Sequence, residues 1–261
     1  MTRLTVVFAV VLALMLPAGV QLAPSGVSPS AESYESIQRK VTEAFDSNRE
    51  HALRAEFLEL EDRAVFSFGV ALIDFYDRRL WASLQTRRAV LPPSPEVIRT
   101  RIKRCMMHDP SAAYPVALYA WFVDNYREKG LSEPQREFMG TTKVTSSDGK
   151  TSEVPVYKVI ADPAKRARVE ELLSQALELD KDNALAKYGI AANTDSPEDS
   201  ARLLWSSIGE VGQYLWETDA LWRINFRLPD DQESRKRVVQ RVELLRAKIG
   251  KDSRRLRAYH L

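Results

Sequence analysis

The sequence predicts an all-α protein made of antiparallel helix pairs, with a small β-hairpin let in between two of the helices. Three observations carry this. The chain holds only 10 glycines in 261 residues and is rich in Leu, Ala, Arg and Glu, a composition that favours helix. From residue 34 onward, apolar residues recur on one side at helical spacing in segment after segment. The exception is "TTKVTSSDGKTSEVPVYKV", Thr141 to Val159, rich in Thr and Val around an Asp148-Gly149 turn signal.

At the start of the chain, Arg3 precedes an apolar run from Leu4 to Leu16 that Pro17 and Gly19 break. That is the order of a secretory signal peptide, so residues 1–23 are read as one, with a Ser/Pro-rich spacer over 24–33. Leu4 to Ala23 is also 20 residues long, enough for an uncleaved membrane anchor. Ala18, Ala23 and Ala31 can each be the last residue of a leader. On either reading the rest of the chain lies outside the cytoplasm, periplasmic or secreted. Cys105 is the only cysteine, so no intrachain disulfide can staple the fold and stability must come from packing. Past Arg3 the first charged residue is Glu32, which leaves the remainder within one charge of neutrality and argues against wholesale nucleic-acid binding.

The helical domain is read over 34–250. His51 to Val90 is one long helix, or two that meet near Gly69. Its apolar stretch "AVFSFGVALIDFY" is too short to cross a bilayer and is read as buried. "LPPSP", Leu91 to Pro95, stops it, and a new helix begins after Ser94 with Pro95 and Glu96 in its first turn. Val97 to Met107 is apolar at Val97, Ile98, Ile102, Cys105 and Met106; "HDPS" closes it, and Ala112 to Arg127 returns antiparallel. The layout recurs in Arg166 to Leu179, the link "DKDN", and Ala184 to Asn193. Between the two pairs sits the hairpin insertion, residues 138–160, with Pro155 confining its strand to an edge or bulge. Ser196 caps a helix with Pro197, Glu198 and Asp199 in its first turn. Val211 to Phe226 and Ser234 to Ile249 are read as the last helices, and 251–261 as a basic tail.

The stretch "QALELDKDNALAKYGIA", Gln175 to Ala191, resembles the seam of the tetratricopeptide repeats. Val169, Leu173 and Ala176 stand where that family places an alanine, an aromatic and a second alanine, and Asp180 matches its turn. Lys181 replaces the usual proline, Ile190 and Ala191 fill the Leu-Gly slots, Lys187 replaces the Trp and Thr194 the Tyr. The same frame upstream places Ile98, Ile102 and Cys105 on a preceding second helix, Asp109-Pro110 at the turn and Tyr119-Ala120 in the Leu-Gly slots. Pro110 and Lys181 are 71 residues apart, so one repeat carries an insertion of about 37 residues between its helices. The resemblance covers Pro95 to Phe226 and implies a short α-solenoid whose groove holds a peptide or protein.

Candidate chemistry is sparse. Cys105 and His108 form a C-x-x-H pair, but a structural metal site needs about four ligands and the other histidines are the distant His51 and His260. Cys105 is therefore read as buried. Glu56 and Glu59 would share a helix face, yet Arg54 and Arg63 stand beside them as partners. No HExxH, GxSxG or phosphate loop occurs. No catalytic, cofactor-binding or metal-binding residue is assigned, no cofactor is expected, and the chain is not read as an enzyme. Trp205, Tyr214, Trp216, Trp222 and Phe226 crowd together, either as a core that closes the solenoid or as a platform for a sugar or peptide.

The functional expectation is a non-catalytic protein-binding or scaffolding module of the cell envelope, with Tyr119, Lys187, Tyr188, Trp216 and Trp222 as its partner-binding residues. A second rests on the C-terminal segment, where Arg235 to Arg257 holds ten basic residues against Glu243 and Asp252. There Arg235, Lys236, Arg237, Arg241, Arg254, Arg255 and Arg257 are candidates for contact with anionic lipid or cell-wall polymer, unless the helix is simply a cap with its arginines in water. A third is a glycan-acting envelope enzyme that uses the aromatic cluster and a carboxylate.

Overall fold

The computed structural model describes residues 32–84, 92–126, 136–145, 151–159, 162–227, 231–250, 253 and 255–256. The chain divides into residues 1–32 and residues 33–261. The expected signal peptide or anchor and nearly all of the spacer lie outside the described residues. The protein is mostly helical, in chain order α1 (Tyr34–Asp46), α2 (Glu50–Leu58), α3 (Ala64–Leu84), α4 (Pro95–His108), α5 (Ala113–Asn125), β1 (Arg136–Thr145), β2 (Thr151–Val159), α6 (Pro163–Leu179), α7 (Ala184–Asn193), α8 (Pro197–Ser207), α9 (Glu217–Arg227) and α10 (Gln232–Ile249). Among the described residues no helix is long and apolar enough to cross a membrane.

The starts of the helices follow from local chemistry. The first N–H groups of a helix have no intrahelical acceptor, so a short polar side chain ahead of them is stabilising. The Ser94 hydroxyl accepts from Val97 N at 3.4 Å and Ser196 from Asp199 N at 3.2 Å, each followed by a proline in the first turn. Asp162 caps α6 in the same way, with Pro163 next, and Asn183 caps α7 by accepting from Ala186 N at 2.9 Å.

Two boundaries differ from the sequence reading. The break in the long N-terminal pattern falls between Leu58 and Ala64, and Gly69 lies inside α3. Gly69 is needed for contact: a Cβ there would sit 2.6 Å from the Phe57 ring of α2 and 2.8 Å from Ile37 of α1. Gly69→Ala is expected to cost about 1–3 kcal/mol by overpacking, seen as a lower denaturant midpoint at unchanged m-value. Residues 211–216 are a turn, and helix resumes only at Glu217. Gly209 and Gly212 take φ of +55° and +72° there, and the Glu217 carboxylate accepts from Gly212 N at 2.6 Å. Together they override the helical spacing of the side chains.

Each helix packs on its neighbour in the chain, and α3, α5, α7 and α9 also touch in succession. Helix α3 then meets the start of α9, where Tyr76 donates to the Leu215 carbonyl at 2.6 Å and Arg79 reaches Asp219. The row of helices therefore turns back on itself. At its centre Trp121 packs against Phe75 at 4.7 Å, Tyr188 at 5.6 Å and Trp216 at 6.3 Å between ring centroids. These rings come from α3, α5, α7 and the turn before α9, so one apolar core joins distant parts of the chain.

β1 pairs antiparallel with β2, with Thr141 opposite Pro155 and an irregularity between Phe138 and Gly140, whose φ is +126°. In a two-stranded ladder both strands are edges, so Pro155 needs no inter-strand donor on its outer side. Asp148 and Gly149 lie outside the described residues.

Candidate functional site

The most concentrated polar chemistry sits beside the aromatic centre. Asp219, 2% exposed, accepts from Arg223 Nε at 2.7 Å, from Arg79 and from the Tyr188 hydroxyl. Burial alone would raise its pKa, but the Arg79 and Arg223 guanidiniums outweigh that and lower it to about 2. Burial, and then the Asp219 charge, push the Tyr188 phenol far above its ordinary value. Arg79 also donates to Asn125 at 2.6 Å and lies over the Trp121 ring at 5.3 Å. An Asp-Tyr-Arg group resembles acid–base machinery, yet its carboxylate and phenol are sealed among rings. Its chemistry is that of a buried clamp joining α3, α5, α7 and α9.

Two further clamps hold the ends. Asp74, buried on α3, takes Arg54 Nε at 2.5 Å and Arg101 Nη1 at 2.6 Å, binding α2 and α4 to α3. Glu217, also buried, takes Arg241 Nε at 2.6 Å from α10. Burial raises the Glu217 pKa, and Arg241 and the Gly212 N–H act against that rise.

These clamps correct several expectations for the surface. Arg241 is committed to Glu217 and to the Gly209 carbonyl at 3.0 Å. Arg255 is buried and lies 3.0 Å from Asp46 Oδ1, so it presents no charge to an outside surface. Arg254 and Arg257 lie outside the described residues. Arg235, Lys236 and Arg237 are exposed on α10, Arg237 with its guanidinium 4.2 Å from the centre of the Trp205 ring.

The aromatic and partner-binding residues divide. Tyr119, Tyr188 and Trp216 are 1%, 1% and 0% exposed, so none offers a surface to a partner. Their large apolar area is what closes the core. Tyr214 stacks on Trp216 at 4.4 Å and is half-buried. Trp216, packed this way, leaves no platform for a sugar, which removes that support from the glycan-enzyme reading. Lys187 is half-buried and pairs with Asp182 at 2.9 Å. Trp222 and Phe226, one turn apart on α9, are 40% and 70% exposed and stacked at 5.3 Å with ring planes 9° apart.

Cys105 is buried, and burial raises its thiol pKa above the ordinary value; His108 is exposed at the end of α4. Glu50, His51 and Asp77 bring three possible ligand atoms within 4.8 Å of one another, but Glu50 and Asp77 both have other contacts. Three such groups fall short of the four ligands of a closed structural zinc site. A cleft of 290 Å³ opens where α5 and α7 end and α6 begins. Its charges are engaged within the chain: Arg166 is bidentate to Asp195 at 2.8 Å, Arg227 donates to the Ala192 and Thr194 carbonyls at 2.7 Å, and Lys165 donates to the Asp124 carbonyl. Lys165 and Arg227 thereby complete the C-termini of α5 and α7, where the macrodipole and spare carbonyls favour cations.

The Arg79–Asp219 contact spans 140 positions, and no local pattern marks it. Asp219 in the sequence looks like an ordinary first-turn acid.

No family model, no curated protein and no solved structure matches the chain.

Proposed function

We propose that this chain is a tetratricopeptide-like helical-repeat protein of the cell envelope that holds a protein or peptide partner without catalysing a reaction. The succession of α3, α5, α7 and α9, each followed by a helix packed on it, supports a short solenoid of helix pairs. The paired strands between α5 and α6 fit an insertion within one such pair. Because Tyr119 and Tyr188 are consumed by the core, the contact surface lies on the outside of α9. The observation that carries this is the stacked Trp222–Phe226 pair, 40% and 70% exposed, in a protein that buries Trp121, Tyr188 and Trp216. Rigid exposed aromatics are the residues that dominate protein–protein binding energy.

The test is site-specific crosslinking in the producing cell's envelope, with a photoreactive phenylalanine analogue in place of Phe226. A discrete adduct is expected, lost when Trp222→Ala is added. The control position is Leu60, 46% exposed on another part of the surface. No adduct at 226, or the same adducts at 60, overturns the reading.

A further inference from the structure

Beyond α10 the chain folds back into the body of the protein. Gly250 stands at φ +84°, a region glycine enters without strain, and its carbonyl accepts from Ser253 N at 3.2 Å. The Ser253 hydroxyl accepts in turn from Arg255 N at 3.2 Å. Ser253, Arg255 and Leu256 are 6%, 1% and 1% exposed.

The slot that receives them is built from parts of the chain far apart in sequence. At the end of α1, Phe45 meets Tyr76 of α3 edge to face at 5.1 Å, and Tyr76 donates to the Leu215 carbonyl ahead of α9 at 2.6 Å. Arg255 Nη1 lies 3.0 Å from Oδ1 of Asp46, the residue after Phe45. Burial raises the pKa of Tyr76 and of Glu217, and the Arg255 charge is among those acting against both rises, so its field reaches α3 and α9 as well.

The fit is incomplete in one respect. Arg255 Nε and Nη2 are buried with no hydrogen-bond acceptor among the described residues, and the Asp46 contact is an ion pair without hydrogen-bond alignment. A buried guanidinium held in this way gains little over its hydration in water, so Leu256 supplies most of the favourable burial. The pair acts instead as a filter, because a segment without a cation would leave Asp46 covered and unpaired. Segments held by few buried apolar side chains open on their own while the remainder of a protein stays folded.

We propose that the segment 253–256 is an exchangeable strap: it leaves its slot while the helices stay folded, and the vacated slot takes an arginine–aliphatic segment of another chain. The slot's chemistry sets that class, since Asp46 and Glu217 call for a cation and the core around Leu256 for an aliphatic neighbour. The strap uses neither ring of the Trp222–Phe226 pair, so this reading and the α9 surface fail separately.

The test uses the full chain carrying Arg255→Ala with Leu256→Ala, which removes the slot's own occupant, and a fluorescent synthetic peptide of residues 250–261 read by anisotropy. In wild type the strap competes at an effective concentration of roughly millimolar, so the peptide should bind the double variant at least about tenfold more tightly than wild type. Arg255→Met in the peptide keeps the aliphatic stem and removes the charge; it should weaken binding about tenfold, as should Asp46→Asn added to the double variant. A folded double variant that binds the peptide no better than wild type overturns the proposal, as does equal binding of a scrambled peptide or of the Arg255→Met peptide. If the double variant does not fold, hydrogen exchange on the wild-type chain decides. The Arg255 amide should then exchange at least about tenfold faster than the Trp121 amide, corrected for intrinsic rates, and with no response to low urea. Exchange at Arg255 that follows global unfolding overturns the proposal.

Discussion

Asp219→Asn is expected to lower folding stability by about 3 kcal/mol, because it removes the buried anion that Arg79 and Arg223 share while keeping the side-chain shape. Both guanidiniums reach partly to solvent, with side chains 13% and 22% exposed, which holds the loss to the lower end for a broken buried pair. The same carboxylate makes stability depend on pH. Its folded pKa of about 2 lies below the roughly 3.9 of an unfolded Asp, so its contribution is present above about 4 and is lost as pH falls toward 2. The size is about 2 kcal/mol. Asp46 and Glu217, both raised by burial, act in the opposite sense: their contribution is present below the unfolded carboxyl value and is lost as pH rises through the folded one. The difference between wild type and Asp219→Asn isolates the Asp219 part. Urea denaturation from pH 7 to pH 2 should show the gap between the two proteins narrowing by that amount. A gap constant with pH would mean that Asp219 is not held ionised by its arginines.

The second large effect is Trp216→Ala, expected to cost about 3–5 kcal/mol. Trp216 is fully buried and touches Trp121, Tyr188 and Tyr214, so truncation opens a cavity where three elements meet. Its indole N–H finds no acceptor among the described residues. Trp216→Phe discards that N–H and keeps most of the volume, so it should recover more than half of the loss. Trp222→Ala, on the exposed side of α9, should cost under about 1 kcal/mol. Equal losses for Trp216→Ala and Trp222→Ala in chemical denaturation would contradict the burial on which the α9 binding surface depends.

Helix starts were legible because they are local. Ser94-Pro95 and Ser196-Pro197 carry their own caps within four residues, and no distant group can easily cancel a satisfied first turn. The link Asp180 to Asn183 was legible for the same reason, since Asn183 meets its acceptor role three residues on. The turn at 211–216 was not, because apolar spacing there is indistinguishable from a helix, and glycine torsions and the reach of Glu217 decide against it. The division of the aromatics was not legible either. Trp216 and Trp222 are six positions apart in one cluster, yet one is fully buried at the centre of the core and the other is 40% exposed.

By itself the sequence determined that the chain would be largely helical, where several helices begin, and that packing without disulfides must hold it together. These are consequences of short-range hydrogen bonding, periodicity and composition. Only the tertiary structure decided that Tyr119, Tyr188 and Trp216 are spent inside, that Arg241 pairs with the buried Glu217 and Arg255 is buried beside Asp46, and that Trp222, Phe226, Arg235 and Lys236 remain exposed. The physical reason is that a side chain's partner is set by which helices meet. Arg79 and Asp219 are joined by the closure of the helical row, not by anything within one turn of either.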